Sequence, residues 1–385
     1  MRHWIWQQTS WPGLTWDEGR LSPLLSRARK QQGHLLGAAR LLDKSLSLEA
    51  QAQVLVEDGF NTSAIEGEQM DMDSIRSSVA RHLGLSHAGL PHPSRSVDGL
   101  VEVLLDATRE YAVPLTVSRL CRWQAALFPT GQSGLFPVRT GALRGDEPMR
   151  VISGVAGREK IHFEAPPRDV LEQQIEHFIV WFNDHSQQLD GLLRAGLAHL
   201  WFVTLHPFED GNGRIARALT DLAICQDEQR PVRLFSLSAQ IMRERNAYYD
   251  VLEKTQRGGL DVTAWLAWFL EQVSGACENA ENTVGKVLDK ARFWLGHQHL
   301  ALNERQRKVL NRLLDAGVDG FEGGMNTRQY VSLTKTSRAT AYRELADLVE
   351  KNCLTTSGAG RSVSYKIRLE QGASFAGQII SPVPA

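Results

Sequence analysis

His206-Pro207-Phe208-Glu209-Asp210-Gly211-Asn212-Gly213-Arg214-Ile215-Ala216-Arg217 joins two helical patterns. Ahead of it, Leu192, Ala195, Leu197, Leu200 and Trp201 recur at helical spacing; behind it, Ile215, Ala218, Leu219 and Leu222 do the same. Asp210-Gly211-Asn212-Gly213 is turn chemistry, since glycine takes positive φ without cost and Asn tolerates it. A glycine turn that opens a helix aims unpaired N–H groups outward at the positive end of the dipole, which makes an anion site. Arg214 and Arg217, three residues apart on the first turn, can bring both guanidinium groups to one anion. Asp210 offers a hard oxygen suited to a phosphate-bound Mg²⁺. His206, at the edge of the turn, has the near-neutral titration a general base requires. Taken singly, each part has a plain reading: a loop histidine, a turn, a solvated helix start. Two cations at a helix N-terminus oppose the dipole, however, and call for an anion.

The stretch resembles the signature of the Fic-domain family, His-Pro-Phe-x-(Asp/Glu)-Gly-Asn-Gly-Arg-x-x-Arg, and departs from it nowhere. The resemblance implies a protein adenylyltransferase that moves AMP from ATP to a Ser, Thr or Tyr hydroxyl of a target protein. It implies His206 as the base on that hydroxyl and Asp210 as the Mg²⁺ ligand. Gly211, Asn212 and Gly213 would cradle the α- and β-phosphates, Arg214 would hold the β-phosphate, and Arg217 the γ-phosphate. Relatives with Lys at the position of Gly213 resemble kinases instead. The chemistry suits the residues, because phosphoryl-type transfer depends on positioning and charge neutralisation more than on covalent catalysis.

The chain has 385 residues with 42% hydrophobic content, enough for two or three domains with cores of their own. Its formal charge of −1 excludes a polyelectrolyte binder, so any nucleic-acid contact must come from a local patch. Cys121, Cys225, Cys277 and Cys353 lie far apart with no C-x-x-C spacing. That argues against a disulfide framework or zinc site and fits a reducing cytoplasm. MRHWIWQQTSWPG at the start has no apolar signal core, and no stretch approaches a membrane span. A cytoplasmic protein without membrane contact is the expectation.

The spacing predicts a mainly helical chain: an N-terminal helical domain over 1–96, a core domain over 97–296, a further module over 299–370, and a flexible tail over 371–385. Trp4, Trp6, Trp11 and Trp16 open the first domain as packing residues, or less simply as a peptide groove, and a helix follows over 21–42. This opening resembles the short domain that precedes many Fic cores. A helix over 46–66 ends at Gly67, a plausible C′ residue. It carries Thr62-Ser63-Ala64-Ile65-Glu66-Gly67, which matches the inhibitory pattern of Fic proteins, (Ser/Thr)-x-x-x-Glu-(Gly/Asn). The resemblance implies that Glu66 pairs with Arg217. Ser63-x-x-Glu66 equally has the form of a capping box that starts a helix. Helices over 73–83, 97–111 and 116–127 follow, with a Gly/Pro/His-rich linker over 84–93.

The segment 149–163 reads as a hairpin, Met149-Arg150-Val151-Ile152-Ser153 against Arg158-Glu159-Lys160-Ile161-His162-Phe163. In the family this is a flap over the nucleotide that aligns the target by edge-strand addition, which implies Lys160, Ile161 and His162 beside the nucleotide. A mere surface hairpin would read the same way. A helix over 170–182 follows. Of the adjacent Tyr248 and Tyr249, one can face the core and the other a ligand. The family places an aromatic beside the adenine there, with Tyr248 the first choice and Tyr249 the second. A core helix begins near Val262 and runs to about 295.

Beyond it, helices over 304–315, 326–333 and 337–351 precede a glycine-tipped hairpin from Cys353 to Ile367, an order that resembles a winged helix-turn-helix. Arg338, Thr340, Tyr342 and Arg343 would then face DNA with Arg361 on the wing, while Glu344, Asp347 and Glu350 dilute the basic face. DNA and protein contact both stay open for this module, as does a homodimer. The overall reading is therefore an adenylyltransferase restrained by Glu66. Its alternatives are a deAMPylase in which Glu66 positions water, and a DNA-binding regulator whose core senses nucleotide.

Overall fold

The computed structural model describes residues 4–40, 42, 44–86, 89–154, 160–316, 324–358 and 363–368. Fourteen α-helices and three two-stranded hairpins are described. In chain order the first helices are α1 (Glu18–Ala39), α2 (Lys44–Ile65), α3 (Met72–Leu83), α4 (Arg95–Arg109) and α5 (Val117–Leu127). The strands β1 (Gln132–Ser133), β2 (Phe136–Pro137), β3 (Arg150–Ser153) and β4 (Lys160–Glu164) follow. Then come α6 (Arg168–Asn183), α7 (Gly191–Leu205), α8 (Asn212–Glu228), α9 (Leu237–Arg243), α10 (Arg245–Gln256) and α11 (Thr263–Gly296). The chain ends in α12 (Glu304–Ala316), α13 (Thr327–Thr334), α14 (Arg338–Glu350), β5 (Leu354–Ser357) and β6 (Ser364–Ile367). Contacts divide the chain into two units, residues 1–37 with 51–280, and residues 38–50 with 281–385.

The first unit is organised around α7, whose residues are all buried. A helix apolar on every face belongs at the centre of a core. α8 packs along it, buried from Arg214 to Cys225, and α4 covers α8 from another side. Trp265 of α11 donates its Nε1–H to the Gly196 carbonyl at 2.8 Å, so the polar handle of a buried indole is satisfied. Trp4 and Trp11 of the N-terminal segment pack onto this core. Trp4 is buried edge-on to Phe163, and Trp11 meets Trp201 edge-on at 6.0 Å.

α2 is seated on α8 through a buried polar cluster. Asp58 of α2 accepts from Ser236 Oγ at 2.6 Å, while Asp221 of α8 is paired with Arg233. Asp58, Asp221 and Arg233 line a small cavity with Gln51, Leu55, Leu104 and Thr108. Burial first, and then the neighbouring Asp221, push the Asp58 carboxyl up to about 8. Asp58 thus stays protonated at neutral pH, as a carboxyl desolvated beside a like charge must.

α2 ends at Ile65 in a Schellman arrangement: the Glu68 N–H bonds the Ser63 carbonyl, the Gly67 N–H bonds that of Ala64, and Gly67 has φ 83°. This overturns the capping-box alternative, because Glu66 lies past the last turn of a helix instead of in the first.

The second unit has its own core around Val309, Leu310, Leu313, Tyr330, Leu345, Leu348 and Tyr365. Met325 exchanges two main-chain bonds with Tyr365, adding a short third segment to the β5–β6 hairpin. Asn326 and Gln329 form a reciprocal cap for α13, and Ser337 caps α14. Glu344 is turned inward, bound by Arg305, Asn303 and the Tyr330 hydroxyl. Asp347 is taken up by Lys351 and Gln306, both at 2.6 Å. Arg361 and the 371–385 tail lie outside the described residues, as does the flap turn over 155–159. No described helix is long and apolar enough to cross a membrane.

Candidate functional site

His206 sits at the C-terminus of α7 with φ 49°, in the left-handed region. The following Pro207 disfavours a continued helix, so the chain must turn here. Phe208, fully buried, anchors the turn, and the Asn212 side chain closes it. Asn212 Oδ1 accepts from the Phe208 N–H at 3.0 Å, and its Nδ2 donates to the Phe208 carbonyl at 2.7 Å. Its amide is thereby committed to the loop, which leaves its main-chain N–H to contribute to an anion nest. Gly211, with φ 87°, caps α8 without any side-chain bond to the helix's first N–H groups. Those groups are left for a ligand.

Both signature arginines are buried, at 6% exposure for Arg214 and 2% for Arg217. Arg214 Nη1 donates to Glu68 Oε2 at 2.9 Å, and its guanidinium lies 4.9 Å from the Phe128 ring centroid. Arg217 donates Nε to Thr62 Oγ1 at 2.6 Å, and Nη2 both to the Thr62 carbonyl at 2.9 Å and to Glu66 Oε1 at 2.7 Å. Arg214 Nε and Arg217 Nη1 are buried with no hydrogen-bond partner among the described residues. A buried guanidinium N–H without a partner is costly, and an arriving anion would relieve it. A Cβ placed on Gly213 would lie 2.2 Å from Glu66 Oε1, so the carboxylate rests directly on the first turn of α8.

The His206 ring is oriented by its own helix, Nδ1 lying 3.2 Å from the Val203 carbonyl. A carbonyl only accepts, so Nδ1 carries the proton and Nε2 keeps a lone pair. Burial is the main influence that holds the imidazole below its ordinary pKa. Arg144 fastens the same turn: its Nε donates to the His206 carbonyl at 2.9 Å, and its N–H donates to the Pro207 carbonyl at 2.9 Å. Asp210 Oδ2 accepts from Ser133 Oγ at 2.5 Å, and Oδ1 accepts from the Gly211 N–H at 2.6 Å. Among the described residues no group of three or more His, Cys, Asp or Glu side chains gathers to hold a metal. Asp210 offers a hard oxygen of the kind that suits a cation carried by phosphate oxygens.

Sequence expectation and structure meet unevenly around this loop. Tyr248 is buried: its hydroxyl lies 3.0 Å from His199 Nε2 and its ring packs on Trp268, so the first choice for an adenine contact faces the core. His199, held near 3 by burial and then by the Arg217 charge, stays neutral beneath Arg217. Tyr249 is the exposed member of the pair, its hydroxyl donating to the Ile65 carbonyl at 3.1 Å. In the flap, Lys160 Nζ lies 3.6 Å from Glu253, His162 Nδ1 lies 2.5 Å from the same carboxylate, and Ile161 packs near Trp4 and Phe163. Thr62, Glu68, Ser133 and Arg144 carried no assigned role in the sequence reading. Thr62 at least stood inside the inhibitory pattern, whereas nothing in the sequence marked Glu68.

Residues 114–224 match the family model described as the Fic/DOC family, and residues 4–85 match a domain of unknown function, DUF4172. The chain is 38% identical over 95 residues to protein adenylyltransferase fic-1 of Caenorhabditis briggsae, covering 24% of this chain and 17% of that protein. It is 33% identical over 102 residues to protein adenylyltransferase Fic of Drosophila virilis, covering 26% and 19%. The matched stretch thus spans less than a fifth of either relative's length. A longer match, 26% identical over 248 residues, covers 63% of this chain and 44% of protein adenylyltransferase Fic of Drosophila mojavensis. Among solved structures, a Fic family protein from Desulfovibrio desulfuricans G20 aligns with a TM-score of 0.51 at 17% identity, over 91% of this chain and 97% of that one. That likeness shows a shared fold.

Proposed function

With residues 114–224 forming a Fic/DOC family domain, we propose that this chain is a protein adenylyltransferase that uses ATP to place AMP on a Ser, Thr or Tyr hydroxyl of a target protein. The observation that carries the reading is the convergence of two buried arginines, each with an unpartnered N–H, on an uncapped helix N-terminus that begins beside a histidine base. The α- and β-phosphates lie on the nest from Gly211 to Gly213, Arg214 takes the β-phosphate, and Arg217 the γ-phosphate. His206 Nε2 accepts the proton of the target hydroxyl as its oxygen attacks the α-phosphorus and pyrophosphate departs. Asp210 would hold Mg²⁺, which supplies charge neutralisation on the phosphates.

In this reading Glu66 restrains the enzyme. Its carboxylate occupies the Arg217 fork and lies over Gly213, where phosphate oxygens would otherwise approach. Incubating the wild type and Glu66→Gly with labelled ATP, Mg²⁺ and a cell lysate tests the whole proposal. AMP on lysate proteins that rises in the variant supports it; no protein-bound AMP with either rejects it.

A second reading concerns the unit from 281 onward. The order of α12 to β6 supports a winged-helix assignment, and the inward turn of Glu344 removes one carboxylate from the α14 surface. Arg338, Tyr342 and Arg343 stay exposed there, with Tyr342 at 64%. DNA is the ligand this face suits. A salt-dependent mobility shift of duplex DNA by the full chain, lost in Arg338→Ala/Arg343→Ala, is the test.

A further inference from the structure

The chain over 138–149 forms neither helix nor strand, yet it is pinned on both sides of Arg144. Gln124, buried in α5, accepts from the Gly141 N–H at 2.7 Å and donates to the Arg139 carbonyl at 3.2 Å. The Arg139 N–H in turn donates to Glu209 Oε2 at 2.8 Å. Arg168 Nε closes the other side on the Arg144 carbonyl at 2.9 Å. These anchors deliver one buried side chain, Arg144, to the end of α7.

Its donors go to main-chain carbonyls. Nε takes the His206 carbonyl at 2.9 Å, and Nη2 takes that of Pro166, just beyond β4, at 2.5 Å. The Arg144 N–H takes the Pro207 carbonyl at 2.9 Å. No carboxylate pairs with the guanidinium among the described residues. Burial, and then the Arg168 charge, bring it down to about 10, so it stays charged at neutral pH. A buried cation without a counter-ion is costly. The offset here is the C-terminal end of α7, which is the negative end of its dipole and has carbonyls without helical partners. Packing alone would be served as well by an apolar side chain of similar length, so the guanidinium has a further task.

His206 needs such support. Its φ of 49° is one that side chains other than glycine hold only where the surroundings over-determine it. One bond orients its ring, to the Val203 carbonyl, and at 3.2 Å it is long. Relaxation of the main chain toward the right-handed region would rotate the Cα–Cβ bond and carry Nε2 with it. Arg144 holds the carbonyls of both His206 and Pro207, and with them the two peptide planes that follow the His206 Cα.

We propose that Arg144 is a positioning residue for AMP transfer: by clamping the His206–Pro207 turn to the chain beyond β4, it fixes where His206 Nε2 meets the target hydroxyl. This rests on the adenylyltransferase reading. The anion nest is held by other contacts, Asn212 on Phe208 and Arg217 on Thr62. Loss of the clamp therefore displaces the base and leaves the nucleotide site in place.

The test uses the full chain carrying Glu66→Gly, labelled ATP, Mg²⁺ and a lysate protein fraction freed of small molecules, with ATP binding read by calorimetry. Arg144→Met keeps length and apolar packing without donors; Arg144→Gln keeps an amide without the fork or the charge. Both are expected to lower AMP incorporation at saturating ATP by at least about tenfold, scaled from the roughly hundredfold cost of a 1 Å misplacement. The Kd for ATP is expected to stay within about threefold of the parent, since separately held sites respond independently. A residue that only held the fold together would weaken ATP binding and transfer in step, and that outcome overturns the assignment. Transfer equal to the parent in either variant overturns it too. A parent that labels no protein overturns the adenylyltransferase reading itself.

Discussion

Glu66 and Arg217 meet at 2.7 Å across 151 residues of sequence, and the carboxylate that closes the pair also rests on Gly213. One side chain therefore covers both a buried guanidinium and the first turn of the anion nest. Glu66→Gly is expected to raise AMP incorporation by at least about tenfold, because a misplacement near 1 Å at the reacting centre costs about a hundredfold. Adding Arg217→Ala should cancel the gain, since in the proposed site the freed arginine holds the γ-phosphate. Unchanged incorporation with a lower melting temperature would leave Glu66 a structural residue only.

Glu68 holds Arg214 as Glu66 holds Arg217, yet it is 44% exposed. Exposed ion pairs contribute about 0.2–1 kcal/mol, so Glu68→Ala in the Glu66→Gly background should tighten ATP binding by no more than about fivefold. Calorimetric titration with ATP reads the difference. A tightening beyond about a hundredfold would show that Glu68 is a second principal restraint.

His206→Ala should lower transfer by about 10²–10⁴-fold and leave ATP binding nearly intact, as a base that touches no phosphate would. Burial holds the imidazole below its ordinary value, so the neutral, proton-accepting form persists into mild acid. The acid limb of kcat/KM is therefore expected below about pH 6.5. A limb above that value would contradict a desolvated base.

Asp58 keeps its proton up to about 8 in the folded chain, but gives it up near 3.8 when unfolded. Between those values the folded state binds the extra proton, so this group's stabilisation is full below the unfolded value and is lost as pH rises through the folded one. Asp58→Asn keeps an oxygen for Ser236 and removes the titration. It should flatten the decline of Tm between about pH 5 and pH 8.5 relative to wild type. An unaltered slope would place the proton elsewhere in the cluster.

Periodicity made the helices legible, and the turn chemistry before α8 made the site legible, because both are local properties. Thr62, Glu68 and Ser133 were not, since their partners Arg217, Arg214 and Asp210 lie from 77 to 155 residues away and nothing local marks the contact. Which of Tyr248 and Tyr249 faces the core is not legible for a related reason. Helical spacing separates the two directions by about 100° but does not say which one meets Trp268. Nothing local shows that the Asn212 amide bridges the two polar groups of Phe208, which leaves its main-chain N–H for an anion. The hairpin at Gln132–Pro137 is too short to show alternation, and its Ser133 reaches Asp210.

With the γ-phosphate on Arg217 as proposed, the end of α2 and a nucleotide would compete for one guanidinium and so be thermodynamically linked ligands of it. Reciprocity requires that whatever factor α2 imposes on γ-phosphate binding, the γ-phosphate imposes on the seating of α2. ATP should therefore loosen the turn at Glu66–Gly67 measurably, whereas ADP, which leaves Arg217 to the glutamate, should not. Amide exchange at residues 62–68 would then report the length of the bound phosphate chain, and α2 would behave as a gauge of ATP over ADP.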